Sequence, residues 1–199
     1  MLAVGVYTAK LWLDDLRSRR SARPNPRPLP GAAPASARAI SIAAAGGLLL
    51  VAAETWCEKS LGIDGQQSTM TGLFAAYTLI AAVIEEIIFR GFIVIEKHGK
   101  LALWVSVIAA SLLFTAIHPF LWQWEGGLPW RDGHLNWTAN LKGWFSTSAI
   151  FTSSLWFYFV RFARFNPERS LLPCFAAHAT KNAGVILIKA VQGFLVGWW

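Results

Sequence analysis

The residues in this sequence with the most to offer chemistry are ionisable groups lodged in apolar surroundings. Ile84-Glu85-Glu86-Ile87-Ile88-Phe89-Arg90-Gly91 sets two carboxylates and a guanidinium in one greasy stretch. His118 closes a second stretch, in Phe114-Thr115-Ala116-Ile117-His118-Pro119, and a third carries His178, Lys181, Asn182 and Lys189. A charge at the centre of a membrane helix costs roughly 2.5–3.5 kcal/mol on insertion scales, so such residues usually have a job.

Spacing suggests what the job is. Residues four apart share a helix face, so Glu86 and Arg90 can pair, while Glu85 points about 100° away around the axis. If all three only cemented helices together, Glu85 would have no partner. A carboxylate left free in this way can take a proton from a water held against it, as a general base does. His118, just ahead of a proline, can leave the lipid and face a polar interior. His178 and Asn182 lie on one face at i and i+4 and offer paired hydrogen-bond donors suited to an oxyanion. Ala177, Ala179 and Ala183 beside them let another helix come close.

Other classes of function use the same pieces. Chains of Glu and His relay protons in transporters, and a non-catalytic binding or immunity protein would keep them as scaffold. Cys174 stands four residues before His178, a spacing open to a Cys–His nucleophile, but nothing supplies its third member. Lys181 is expected to balance a carboxylate near the site, and Lys189 to snorkel towards headgroups. His98 and His134 read as solvated surface.

These groups need helices to position them, and the composition supplies membrane-crossing ones. Of 199 residues, 55% are apolar and 15% charged, against roughly 45–50% and 25% in soluble domains. A crossing takes about 20 apolar residues, and five blocks approach or reach that length, at 39–53 (short), 71–95, 101–117, 144–160 and 171–196. The expected fold is an all-α, polytopic transmembrane bundle of about five spans over 39–199. Residues 1–38 read as a basic Pro- and Arg-rich N-terminal segment, in which Pro24, Pro26, Pro28, Pro30 and Pro34 oppose a regular helix. Its first ten residues look like the tail of a helix whose beginning is missing.

The net charge of +7 does not indicate nucleic acid. Six Arg (Arg17, Arg19, Arg20, Arg23, Arg27, Arg38) against two Asp crowd 14–38, beside the first span, where cytoplasmic segments collect positive charge. With that segment inside, 54–69 (Glu54, Glu58 and Asp64 against Lys59) falls outside and 96–100 (Lys97 and Lys100 against Glu96) inside. The balanced loop 119–143 is then outside, and 161–170, with Arg161, Arg164 and Arg169 against Glu168, is inside. Trp122, Trp124, Trp130, Trp137 and Trp144 crowd the outer loop and its flanks as an aromatic belt. Cys57 and Cys174 are poorly placed to pair. On this topology His118 lies near the outer end of its span, and His178 about seven residues, roughly 10 Å, from the inner end of its own. They can meet only if helices tilt, start deeper or surround a cavity.

The order Glu85-Glu86-x-x-x-Arg90, Phe114-x-x-x-His118, His178-x-x-x-Asn182, each on its own apolar segment, resembles the CAAX prenyl endopeptidase and bacteriocin-processing family, also called CPBP or Abi, over roughly 71–199. The resemblance implies a glutamic-type intramembrane endopeptidase, with a membrane-associated peptide or membrane-tethered protein as substrate. In it Glu85 and His118 activate water, His178 and Asn182 hold the oxyanion, and Glu86 and Arg90 support them. It also implies an integral membrane protein, with a bacterial inner (plasma) membrane as the expected location and the lipid bilayer as a partner. No cofactor is expected; a zinc ion, were one used, would take Glu85, His118 and His178.

Overall fold

The computed structural model describes residues 2–19 and 25–199. Arg20, Arg23 and Pro24 of the expected linker lie outside the described residues. Among the described residues six α-helices run in order: α1 (Leu2–Ser18), α2 (Ala37–Ser60), α3 (Gly72–Glu85), α4 (Gly99–Ala116), α5 (Leu141–Phe162) and α6 (Leu172–Val191). A π-helical turn, Glu86–Phe92, continues α3, and a hairpin of β1 (Trp122–Glu125) and β2 (His134–Trp137) joins α4 to α5. Helix starts follow side-chain capping: Ser36, Thr71 and Asn140 accept hydrogen bonds from the backbone N–H of Ala39, Phe74 and Gly143, satisfying donors that the first turn leaves open.

Three helices, Ala37–Ser60, Gly72–Phe92 and Gly99–Ala116, are long and apolar enough to cross a membrane. Helices α5 and α6 cover the other two expected spans, with 22 and 20 residues, and are more polar. The first span runs well beyond 39–53, so Glu54, Cys57 and Glu58 belong to the last turns of α2, not to an outer loop.

The tightest packing joins α2 to α6. A Cβ added at Gly47 would come 2.5 Å from the Ala177 carbonyl oxygen, so only glycine permits this approach. Of the small residues expected to admit a neighbouring helix at His178, Ala177 admits α2, whereas Ala183 is exposed. The apolar core gathers Trp12, Ala43, Ile87, Phe157, Leu171, Cys174 and Ala177.

The segment read as linker is partly structured. Helix α1 occupies its first half, and Trp12, 1% exposed, donates its indole N–H to the Pro30 carbonyl at 3.1 Å. Asp15 accepts from the Leu29 N–H at 2.8 Å, and the Leu171 N–H donates to Gly31 at 3.0 Å. The prolines thus break the helix but lay the chain across the start of α6, where Ala32 and Ala33 are buried.

Candidate active site

Glu86 lies at the end of α3, where the π-helical turn widens the helix by one residue per turn, a distortion common at functional sites. Glu86 and Arg90 are both fully buried and pair at 3.1 Å. Buried charge of this kind is tolerated only with further polar partners, and both residues have them. Arg90 donates to Ser154 Oγ at 2.7 Å and to the Ser154 carbonyl at 3.3 Å. Ser154 Oγ donates in turn to Ser111 Oγ at 3.0 Å. The guanidinium also lies over the Phe114 and Tyr158 rings, 4.6 and 4.8 Å from their centroids.

The other partner of Glu86 is His178, whose Nδ1 lies 2.7 Å from Glu86 Oε1. With that nitrogen donating to the carboxylate, Nε2 points at Glu85, 3.8 Å from its Oε2. Phe157 stacks on the imidazole at 4.7 Å and 22°, holding the ring plane. Glu85 is therefore not the solitary carboxylate that helical spacing indicated. It faces an imidazole, and its side chain stays 30% exposed where that of Glu86 is sealed.

His118 is tied to the same place through aromatic rings. Phe89 packs edge-on against Phe114 at 4.9 Å. Phe114 stands between the two histidines, 4.7 Å from His118 and 6.2 Å from His178, ring to ring. Helix α4 ends at Ala116, two residues before His118. Among the described residues Glu85 and His118 form no direct hydrogen bond; His118 Nδ1 lies 2.7 Å from its own helix's Phe114 carbonyl.

Asn182 sits one turn beyond His178 on α6 and donates one amide N–H to the Thr78 carbonyl of α3 at 3.0 Å. Its Nδ2 carries a second hydrogen. Lys181 does balance a carboxylate, but the partner is Glu54 of α2, at 3.1 Å. Lys189 does not snorkel: it is buried and bonds to Ser68. Cys174 is fully buried and donates to the Phe157 carbonyl at 3.3 Å, away from His178.

Sequence reasoning missed Ser111, Ser154, Thr78 and Glu54. The two serines carried a faint signal as hydroxyls inside apolar helices, whereas Thr78 contributes only a backbone carbonyl and could not have been found. A family model for type II CAAX prenyl endopeptidases of the Rce1-like kind matches residues 67–184, which take in every residue of this cluster except Glu54. No curated protein and no solved structure matches the chain. With the three motifs gathered around one buried cluster and the match covering more than half of the chain, this is an integral membrane protein belonging to the Rce1-like type II CAAX prenyl endopeptidase family.

Proposed function

We propose that the protein is a glutamic-type intramembrane endopeptidase that hydrolyses a peptide bond in a membrane-associated peptide or membrane-tethered protein. In this reading α5 and α6 complete a five-span bundle in a bacterial inner membrane. The observation that carries it is His178 suspended between two carboxylates, with Nδ1 tied to Glu86 and Nε2 turned to Glu85.

A water held between Glu85 and His118 gives a proton to the Glu85 carboxylate, and its oxygen bonds to the scissile carbonyl carbon. The carbonyl oxygen becomes an oxyanion, stabilised by Nε2–H of His178 in its imidazolium form and by the second amide hydrogen of Asn182. The C–N bond then breaks and the proton on Glu85 passes to the leaving nitrogen. Glu86 keeps His178 oriented, and Arg90 holds Glu86 in place.

This reading uses no metal; a zinc ion, were one bound, would be held by Glu85, His118 and His178, the histidines through Nε2, since Nδ1 of each is engaged, by the Phe114 carbonyl and by Glu86. Among the described residues no three His, Cys, Asp or Glu side chains converge as metal ligands, and no step is routed through a metal.

Replacing Asn182 with Ala tests the assignment. Loss of an oxyanion donor lowers the cleavage rate by about 10²–10³, measured on a peptide substrate with the purified protein in lipid. A proton relay through Glu85 and His118 would not need the amide, so undiminished turnover in Asn182→Ala would refute the oxyanion role.

A further inference from the structure

The register of the hairpin between α4 and α5 sorts its side chains by polarity. Trp122 stands opposite Trp137 and Trp124 opposite Leu135, while Gln123 faces Asn136 and Glu125 faces His134. Alternate residues of a strand point to opposite faces, and directly paired residues share one. One face is therefore Trp122, Trp124, Leu135 and Trp137, and the other Gln123, Glu125, His134 and Asn136. The polar face is tied together: Asn136 donates to Glu125 Oε1 at 2.8 Å, and His134 Nε2 lies 3.7 Å from Glu125 Oε2. On the apolar face Trp124, Leu135 and Trp137 are exposed, and Trp130 at the turn is 80% exposed.

A two-stranded hairpin is marginal in water unless its apolar face packs on something. A surface of the right kind adjoins this one. The hairpin is anchored at the end of α4, where the Trp122 indole donates to the Ala116 carbonyl at 2.9 Å, and its base is closed by the Thr138 N–H donating to the Leu121 carbonyl. Ile108 and Leu112 on α4, Ile117 just past its end and Phe120 at the hairpin's root are exposed as well. Tryptophan concentrates at the headgroup level of bilayers, where one ring edge stays wet.

The structure assigns this hairpin to the phospholipid surface: it lies flat in the membrane interface with its Trp–Leu face in lipid and its Glu125–His134 face in water. This goes beyond an aromatic belt, because the hairpin springs directly from His118. Phe120 stacks parallel to that imidazole at 6.4 Å and 10°, so the seated hairpin fixes the depth of the His118 corner of the site. The inference needs only the membrane character of the chain and stands apart from the roles proposed for Glu85 and Asn182.

Nitroxide labels on full-length protein in phosphatidylcholine and phosphatidylglycerol vesicles test it. The labels go on Leu135→Cys, Trp137→Cys, Gln123→Cys and Asn136→Cys, each in a background with Cys57 and Cys174 replaced by Ser. Collision with oxygen relative to a water-soluble nickel chelate should be several-fold higher at 135 and 137 than at 123 and 136. Equal nickel accessibility on both faces would overturn the inference, as would labels at 135 and 137 shielded from both reagents, which would mean that protein covers the face. The unmodified chain provides an independent check: a phospholipid with a photoreactive group near its headgroup should crosslink to peptides spanning 122–137. Absence of adducts there would also overturn it.

Discussion

At the scale of single residues, the site depends on buried charge. Arg90 is sealed among aromatic rings with Glu86 as its ion-pair partner, so Arg90→Met leaves the buried Glu86 carboxylate with His178 alone as partner. Breaking such a pair from one side costs about 3–5 kcal/mol, and thermal unfolding in detergent should show the loss directly. Glu86→Gln tests a different point. It keeps the volume but removes the counter-charge behind His178, and the expected result is a fall in kcat on the order of 10²-fold or more with little change in KM. Much of this was legible in the sequence, since the i, i+4 spacing pairs Glu86 with Arg90 and sets His178 beside Asn182 on α6. What spacing within one helix could not give is contact between helices. That is why Glu85 was read as partnerless although it faces His178, and why Glu54 was not seen as the partner of Lys181.

At the scale of elements, the register of α2 on α6 keeps His178 in place. Gly47 lies against the Ala177 carbonyl, the residue next to His178, so Gly47→Ala forces these helices apart. Overpacking of this sort costs about 1–3 kcal/mol, and the variant should show a lower melting temperature together with reduced cleavage. Helix existence was visible from apolar runs, but two local features escaped. The π-helical turn at Glu86–Phe92 has no compositional mark, because it follows from how Glu86 and Arg90 are satisfied in the packed bundle. The hairpin did leave a mark, the alternation Trp-Gln-Trp-Glu and His-Leu-Asn-Trp, which was masked by the turn residues and the expectation of an all-helical chain. The prolines of 25–36 signalled a break in the helix, but not that the broken chain packs under Trp12 and against Leu171.

At the scale of the whole molecule, the distribution of arginine gives the bundle an expected orientation, on which the two cysteines can report. Cys57 is partly exposed near the end of α2, on the side expected to lie outside, and Cys174 is buried in the core. A membrane-impermeant maleimide added to intact cells should label Cys57 and spare Cys174 until the protein is denatured; labelling of Cys57 only after the membrane is permeabilised would invert the topology.

The central claim, that Glu85 drives peptide hydrolysis in this family member, meets its most direct test in the peptide termini of membranes. Wild-type and Glu85→Ala membranes carrying equal amounts of folded protein should be compared by mass spectrometry. The account predicts a set of cleaved termini present in the wild type and missing from Glu85→Ala. The same termini at the same abundance in both would contradict it.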